Sequence, residues 1–575
     1  MGGGLAGLAA VIKIAEMGVD VDLFSIVPVK RSHSVCAQGG INAAKNLKGE
    51  GDSPWKHFDD TIYGGDFLAN QPPVKAMCEA APAIIDLLDR MGVMFNRTPE
   101  GLLDFRRFGG TLFNRTAFAG ATTGQQLLYA LDEQVRRHEA DGKVKKYEGW
   151  EFLSAVLDGQ KVCRGICAMD LRSMKVETFP ADAVILATGG NGAIFGKSTN
   201  SVVCTGSAQS AVYQQGAIYA NGEFIQVHPT AIPGEDKVRL MSESARGEGG
   251  RMWVPKDGKP YYFLEEWYPK YGNLVPRDIA TRAIHKVVYE LGLGIDGQPA
   301  VYLDLTHIDA ATLDRKLGGI LEIYEKFVGV DPRKHPMKVF PGVHYTMGGL
   351  WVDYDQMTNI PGLFATGECE YQYHGANRLG ANSLVSCIYG GFIGGPAAVR
   401  YARNQAKSAA AVASTVFDQE RKTQQDLNSA LLAGKGGENP FHIWKEMGAM
   451  MTEHVTVVRY NKNIKKADEL LCTLLERFRR INLSDKSQWA NQTLAFCREL
   501  GNMLHLARVI AQGAERRNES RGAHYKPDFP ERNDAEFLKT TLASFAPDAD
   551  APVLSYEPVD TSLLQPRPRK YDVAA

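Results

Sequence analysis

Met1-Gly2-Gly3-Gly4-Leu5-Ala6-Gly7, followed by an apolar helical pattern over residues 8–17 and by Val19-Asp20-Val21-Asp22-Leu23-Phe24, decides the fold class. Gly2, Gly4 and Gly7 stand at the Gly-x-Gly-x-x-Gly spacing of a dinucleotide turn. The first permits the tight turn, the second lets backbone approach a pyrophosphate, and the third lets helix and strand pack closely. The helix N-terminus then favours the phosphate charge. The run at 19–24 alternates like a strand, so the segment reads as the second half of a β-α-β nucleotide unit. The strand that should precede Gly2 is missing from the sequence as given. A doubly wound sheet without its central strand would leave backbone groups unpaired, and the expectation is a start site placed too far downstream.

Further along, Val184-Ile185-Leu186-Ala187-Thr188-Gly189-Gly190 reads as a buried parallel strand ending in a glycine turn. Leu363-Phe364-Ala365-Thr366-Gly367-Glu368 repeats that junction. Between them, aromatic, Gly- and Pro-rich text over about 223–343 suggests an inserted domain. From about 409 to 521 the pattern is helical, with Leu500, Met503, Leu504, Ala507, Ile510 and Ala511 on one face. The stretch from Ala546 on reads as irregular and extended. Ser25 follows the second strand where a conventional NAD site would place an acidic residue for the ribose. The Ala187-Thr188-Gly189 turn and Glu368 at a strand end, able to hold a ribose hydroxyl, favour a flavin instead.

The 575 residues predict two to four domains. Lys+Arg is 65 against Asp+Glu 66, which argues against a nucleic-acid surface. No run approaches the ~18 apolar residues of a bilayer span, and no signal peptide is read, so membrane association is expected to come through a partner. The nine cysteines include no Cys-x-x-Cys pair, which speaks against a metal or iron–sulfur site in this chain and for buried free thiols in a reducing compartment.

Arg31-Ser32-His33-Ser34-Val35-Cys36-Ala37-Gln38-Gly39-Gly40-Ile41-Asn42 resembles the flavin-attachment segment of the succinate dehydrogenase/fumarate reductase flavoprotein family. Without that context a histidine in a polar loop is ordinarily just solvated. The resemblance runs along nearly the whole chain: His228-Pro229-Thr230, the 242–250 block ending Arg246-Gly247-Glu248-Gly249-Gly250, Pro276-Arg277-Asp278, His344-Tyr345-Thr346-Met347-Gly348-Gly349, His374-Gly375-Ala376-Asn377-Arg378-Leu379-Gly380, and Ser520-Arg521-Gly522-Ala523-His524. Two departures stand out. Ser207 follows Thr205-Gly206 where the family often has aspartate, and Ser242 replaces a frequent threonine while keeping the hydroxyl. The text at 242–246 and 371–383 is closer to menaquinone-linked bacterial members.

The resemblance implies an α/β fold: a Rossmann-like FAD-binding domain (1–223 and 344–408), an inserted α+β capping domain (224–343), a C-terminal helical domain (409–530) and an extended tail (531–575). It implies FAD bonded covalently through His33, with Ser34, Gln38, Gly39, Gly40, Asn382, Ser383 and Leu384 joining the glycines, the 187–189 turn and Glu368 around the cofactor. Arg378 and His344 would hold one carboxylate of succinate or fumarate, and His228 and Ser242 the other. Arg277 would move the proton, relayed by Glu243 and Arg246, which are spaced for one helical turn. A free guanidinium with a pKa above ~12 is a poor base, so nearby charge must share the cost. The plainer alternative makes Arg277–Asp278 and Glu243–Arg246 simple ion pairs. Electrons would leave to an iron–sulfur subunit docked on quinone-binding membrane anchor subunits, which places the chain peripherally on the cytoplasmic side of the cell membrane.

L-aspartate oxidase and soluble fumarate reductase with non-covalent FAD are the near alternatives, and His33 discriminates against both. A NAD-linked disulfide oxidoreductase would want a redox cysteine pair. An inactive assembly scaffold would have no need of His228, His344, Arg277 and Arg378 together.

Overall fold

The helix expected after the glycines runs Leu5–Glu16 in the computed structural model, which describes residues 1–234 and 237–571. Its apolar face packs on the long helix Asn382–Asn404. The strand Val21–Ser25 pairs in parallel with Val144–Glu148, and Val184–Leu186 pairs in parallel with Leu363–Ala365. Met1 bridges the two pairs. Its ammonium donates to Ile185 O (2.7 Å), its carbonyl accepts from Ala187 N (2.7 Å), and Gly2 N donates to Phe24 O (2.8 Å). Below Met1 a groove of about 540 Å³ separates the pairs, lined by Val21, Leu23, Val184, Ile185 and Val399 among others.

The inserted region is a six-stranded sheet in the order Arg239–Leu240, Ile225–Ile232, Met337–Thr346, Val301–Asp304, Arg251–Lys256, Lys259–Tyr261. It carries the helices Arg277–His285 and Ala310–Val328, and these elements share an apolar cluster around Met252, Leu303, Leu317 and Val339. The pairing of Ile225–Ile232 with Met337–Thr346 shifts register between Gln226 and Val227 and again between His228 and Ala231. Such bulges re-aim side chains at a sheet rim, and here they set the orientation of Gln226 and His228.

The helical region contains Ser414–Ala433, Pro440–His454, Asn461–Phe478 and Gln492–Arg516. Asn439 and Asn491 cap two of these by accepting from Phe441 N and Leu494 N. All six residues of the expected face of the last helix are buried. The architecture is thus a Rossmann-like domain with an inserted α+β cap and a C-terminal helical domain.

Two expectations need correction. The segment read as an extended tail forms an antiparallel hairpin, Lys539–Ala546 with Ala551–Pro558, added to Tyr219–Ala220. Pro552 and Pro558 concealed it, but the second strand lies at the sheet edge, where proline is tolerated. Residues 572–575 of that segment lie outside the described residues. The thiols are not uniformly buried: Cys36 is exposed and Cys387 and Cys472 are half-buried. Among the described residues no helix is long and apolar enough to cross a membrane.

Candidate active site

One groove is lined by Gly2, Gly3, Gly4, Ser25, Ser32, His33, Ser34, Ala187, Thr188, Gly189, Thr366 and Glu368. A Cβ on Gly7 would collide with the Gly2 carbonyl oxygen, and Gly2 itself sits at φ +110, so the turn demands both glycines. The helix Leu5–Glu16 has no side-chain cap, and its first N–H, at Leu5, meets Ser34 Oγ at 3.2 Å. That leaves the helix N-terminus facing the groove, where it favours phosphate. Ser32 Oγ, Thr188 Oγ1 and Thr366 Oγ1 are buried without a protein partner. Buried polar atoms are ordinarily paired, so this donor and acceptor set fits a dinucleotide cofactor. Glu368 is committed in part: Oε1 accepts from Thr346 N (3.1 Å) and a Cβ on Gly190 would strike it. Burial raises its carboxyl to about 7 against the Thr346 hydrogen bond and Arg378.

His33 stands at one end of this groove. Its Nδ1 accepts from Ser201 N (3.1 Å), and its Nε2 lies 3.2 Å from Asn200 Nδ2. Burial, then Lys237, pushes its pKa down to about 4, so the ring is neutral. Gln38 donates to Leu240 O, and Gly39 O accepts from Arg106. Asn382 does not present its side chain to the groove. Its Oδ1 accepts from Asn42 (2.7 Å) and His57 (2.9 Å), and its Nδ2 donates to Thr61 Oγ1. Leu384 points into the apolar core. Their contribution is backbone: Ala381 at φ +62 starts the Asn382–Asn404 helix with no side-chain cap, leaving first-turn N–H groups for a ligand.

A charge cluster is buried behind His344. Glu243 Oε2 accepts from Arg277 Nε (2.9 Å) and Nη2 (2.7 Å), and its Oε1 accepts from Arg246 Nη2 (2.6 Å). Burial would raise Glu243, but Arg277 and Arg246 overcome it and hold the carboxyl below its usual range. Arg246 and Glu243 share the short turn Ser244–Gly247, as their spacing indicates. The Arg277–Asp278 pair of the plainer alternative is absent among the described residues. Asp278 instead takes Arg569 (2.7 Å) and Arg282 (3.3 Å), because successive residues of a helix face different sides. Glycine makes room for the carboxylate, since a Cβ on Gly109 would strike Glu243 Oε1 and one on Gly380 would strike Oε2.

The expected clamp residues converge on this cluster. Arg378 is 2% exposed, lies over the Tyr345 ring (4.4 Å) and has an unpartnered Nε. Burial, then Arg277, lowers it to about 9. The His228 and His344 rings are 5.0 Å apart. His228 Nδ1 accepts from Thr230 N (3.2 Å), so the neutral ring carries its proton on Nε2, which is buried and unpartnered. His344 Nδ1 is 2.6 Å from Thr199 Oγ1. Burial first, and Arg277 next, press both imidazoles well below their ordinary pKa. Ser242 Oγ is 2.7 Å from Ser244 Oγ. Three guanidiniums face one carboxylate, an excess of two positive charges among neutral donors.

Sequence reasoning missed Gln226, which accepts from Arg277 (2.8 Å) and donates to the Arg378 carbonyl (2.8 Å), joining the two arginines. It also missed the Thr199-Asn200-Ser201 segment that holds both His33 and His344. Gln226, two residues before His228 in a bulged strand, carried a signal; the polar 199–201 run carried none.

The FAD binding domain family matches residues 1–384, and fumarate reductase flavoprotein C-term matches residues 444–571. The chain is 67% identical over 571 residues to the succinate dehydrogenase flavoprotein subunit of Bacillus subtilis (strain 168), covering 99% of this chain and 97% of that one. It belongs to the succinate dehydrogenase/fumarate reductase flavoprotein family. The fumarate reductase flavoprotein subunit of Escherichia coli (strain K12) is 35% identical, covering 99% and 95% of the two chains. A solved mutant of E. coli quinol fumarate reductase superposes with a TM-score of 0.93 at 34% identity, over 100% of this chain and 98% of that one. Within this family of flavoproteins that interconvert succinate and fumarate, the groove is the candidate FAD site and the charge cluster beside it the candidate substrate site.

Proposed function

We propose that the chain is the catalytic subunit of a succinate:quinone oxidoreductase, with FAD bonded through His33. In this reading residues 1–223 and 344–408 hold the flavin, 224–343 cap it, 409–530 buttress it and 531–575 tie it down. The observation that carries the proposal is the buried excess of two positive charges at Arg246, Arg277, Arg378 and Glu243, matched to a dicarboxylate dianion. Arg378 and His344 would take one carboxylate, and His228 Nε2–H and Ser242 the other. A guanidinium offers a planar fork that Lys lacks. Fixing both ends of the substrate can supply about 7–11 kcal/mol of barrier reduction. FAD, when bound, supplies the two-electron acceptor for hydride. Arg277 then handles the proton of the neighbouring carbon and exchanges it with Glu243, which also holds Arg246 and would relay it onward.

An imidazole alkylated on Nε2 keeps a lone pair on Nδ1, which is the pattern the Ser201 N–H meets. A neutral His33 is also the nucleophilic form. Electrons would pass to an iron–sulfur subunit on a quinone-binding membrane anchor at the cytoplasmic face. The text at 242–246 and the likeness to a quinol-fumarate reductase solved with menaquinol molecules (TM-score 0.91, 34% identity) favour menaquinone. The test is a denaturing gel of the purified complex: flavin fluorescence at this chain's mass, tracking to the His33 peptide, is expected. His33→Ala should keep FAD non-covalently and lose more succinate oxidation than fumarate reduction. A dark wild-type band that releases free FAD would overturn the covalent assignment.

A further inference from the structure

Away from His33, two carboxyl side chains face the dinucleotide groove without any role in the site described above. Glu151 lies on the strand Trp150–Leu157, two residues after Gly149, whose N–H donates to Ser25 O (2.8 Å) at the end of Val21–Ser25. It lines the groove, is 4% exposed, and neither of its carboxyl oxygens has a hydrogen-bond partner. Arg498, the cation whose charge acts on it, is hydrogen-bonded instead to Gln424 and Asn428. Glu499 lines the same groove from the helix Gln492–Arg516, and Asn502, one turn on, donates to Ser207 Oγ (2.8 Å).

The ribose of a bound dinucleotide lies where the second strand ends, and an acidic side chain there ordinarily holds its hydroxyls. This chain has Ser25 at that place and Ser207 where its family often has aspartate. Neither position carries a carboxylate, while two carboxyls from other elements line the same groove. A buried, unpartnered carboxyl is costly without a ligand. We propose that Glu151 and Glu499 form a two-carboxyl clamp for the adenosine half of FAD, accepting from the ribose hydroxyls and the adenine amino group.

Burial raises Glu151 to about 7 against Arg498, and burial followed by the Glu151 charge raises Glu499 well above its ordinary value. Two such carboxyls resist being ionised together, so one can accept while the other, protonated, can also donate to a ring nitrogen. The clamp rests on the FAD reading of the groove and not on the covalent bond. It makes affinity depend on the adenosine half, so flavin mononucleotide, which lacks that half, is indifferent to it.

The test uses the full chain carrying His33→Ala, so that flavin exchanges, and titrates it with FAD and with flavin mononucleotide by fluorescence. Glu151→Met and Glu499→Met replace the acids with apolar side chains of similar volume. Each is expected to weaken FAD at least tenfold, leave flavin mononucleotide unchanged and not lower the melting temperature of the apoprotein. Should a methionine variant fail to fold, Glu499→Gln keeps the shape and is expected to show a smaller loss confined to FAD. Unchanged FAD affinity would overturn the clamp. So would an equal loss for both flavins with a lowered melting temperature, the signature of a structural role. A His33→Ala parent that binds neither flavin would overturn the FAD reading, and the clamp with it.

Discussion

Two clusters of buried charge, one at the active site and one beneath the C-terminal hairpin, use the same residue types to opposite ends. In the second, Arg517 Nε donates to Glu223, Nη1 to Glu519 and Phe537 O, and Nη2 to Lys539 O and Thr541 Oγ1. That accounts for all five guanidinium donors. Arg521 closes the set on Glu519 (2.8 Å) and Asp534 (2.7 Å). In the first, Glu243 is saturated by two arginines, yet among the described residues Arg378 has no carboxylate partner and His228 Nε2 no partner. A cluster whose guanidiniums are engaged by the fold itself ties elements together, even with Glu223 Oε2 left unpartnered. An open one, equally buried, stores unmet hydrogen-bonding capacity for a ligand.

The largest effect should separate the two at once. Arg277→Ala is expected to lower succinate turnover by about 10²–10⁴-fold with FAD and dicarboxylate still bound, and to lower melting less than Arg521→Ala does, because Arg246 and Arg378 still act on Glu243. Arg521→Ala should do the reverse, destabilising by about 3–5 kcal/mol because Glu519 is left buried and underpaired, with turnover per folded molecule preserved. Substantial turnover in Arg277→Ala would remove the distinction.

Arg378→Ala sharpens the comparison at the ligand side. Losing one partner of a buried charge pair costs about 2–5 kcal/mol in binding, so the succinate KM should rise steeply. Melting of the ligand-free protein should stay level or rise, because an unpartnered buried charge has been removed. A large fall in melting temperature would show that Arg378 is architectural.

The smallest effect is in pH. Both clusters hold a neutral imidazole, His228 in one and His524 in the other, each pressed well below its ordinary pKa by burial first and then by a guanidinium. With the folded pKa below the unfolded value of about 6.5, the unfolded chain takes up the proton first, so stability falls as pH drops below about 6.5. A dicarboxylate inhibitor such as malonate should relieve His228, whose Nε2–H is free, and lift melting at pH 6 more than in His228→Asn. His524→Gln should flatten the acid side equally with and without ligand, since its Nε2 already donates to Arg517 O (2.9 Å).

Much of this was legible in the sequence, for identifiable reasons. Gly2 and Gly7 declare themselves because a side chain at Gly2 would strike the Ala187 carbonyl and one at Gly7 the Gly2 carbonyl. Glu243 and Arg246 announce one turn by spacing. The hairpin at 539–558 was obscured by prolines that an edge strand accepts. The pairing of Arg277 with Glu243 rather than Asp278 depends on helix orientation against a bulged strand, which spacing does not encode. Gln226 and the 199–201 segment act through tertiary contacts alone. The Asn382 side chain is spent on Asn42, His57 and Thr61, so what this residue can offer a cofactor is backbone, a distinction that residue type does not encode.

The most direct measurement mixes the purified complex with succinate under anaerobic conditions and follows flavin absorbance in wild type and Arg277→Ala. The account predicts rapid bleaching in the wild type, and in the variant a small spectral shift from bound dicarboxylate without bleaching. Bleaching at the wild-type rate in Arg277→Ala, or no response to succinate in the wild type, would contradict it.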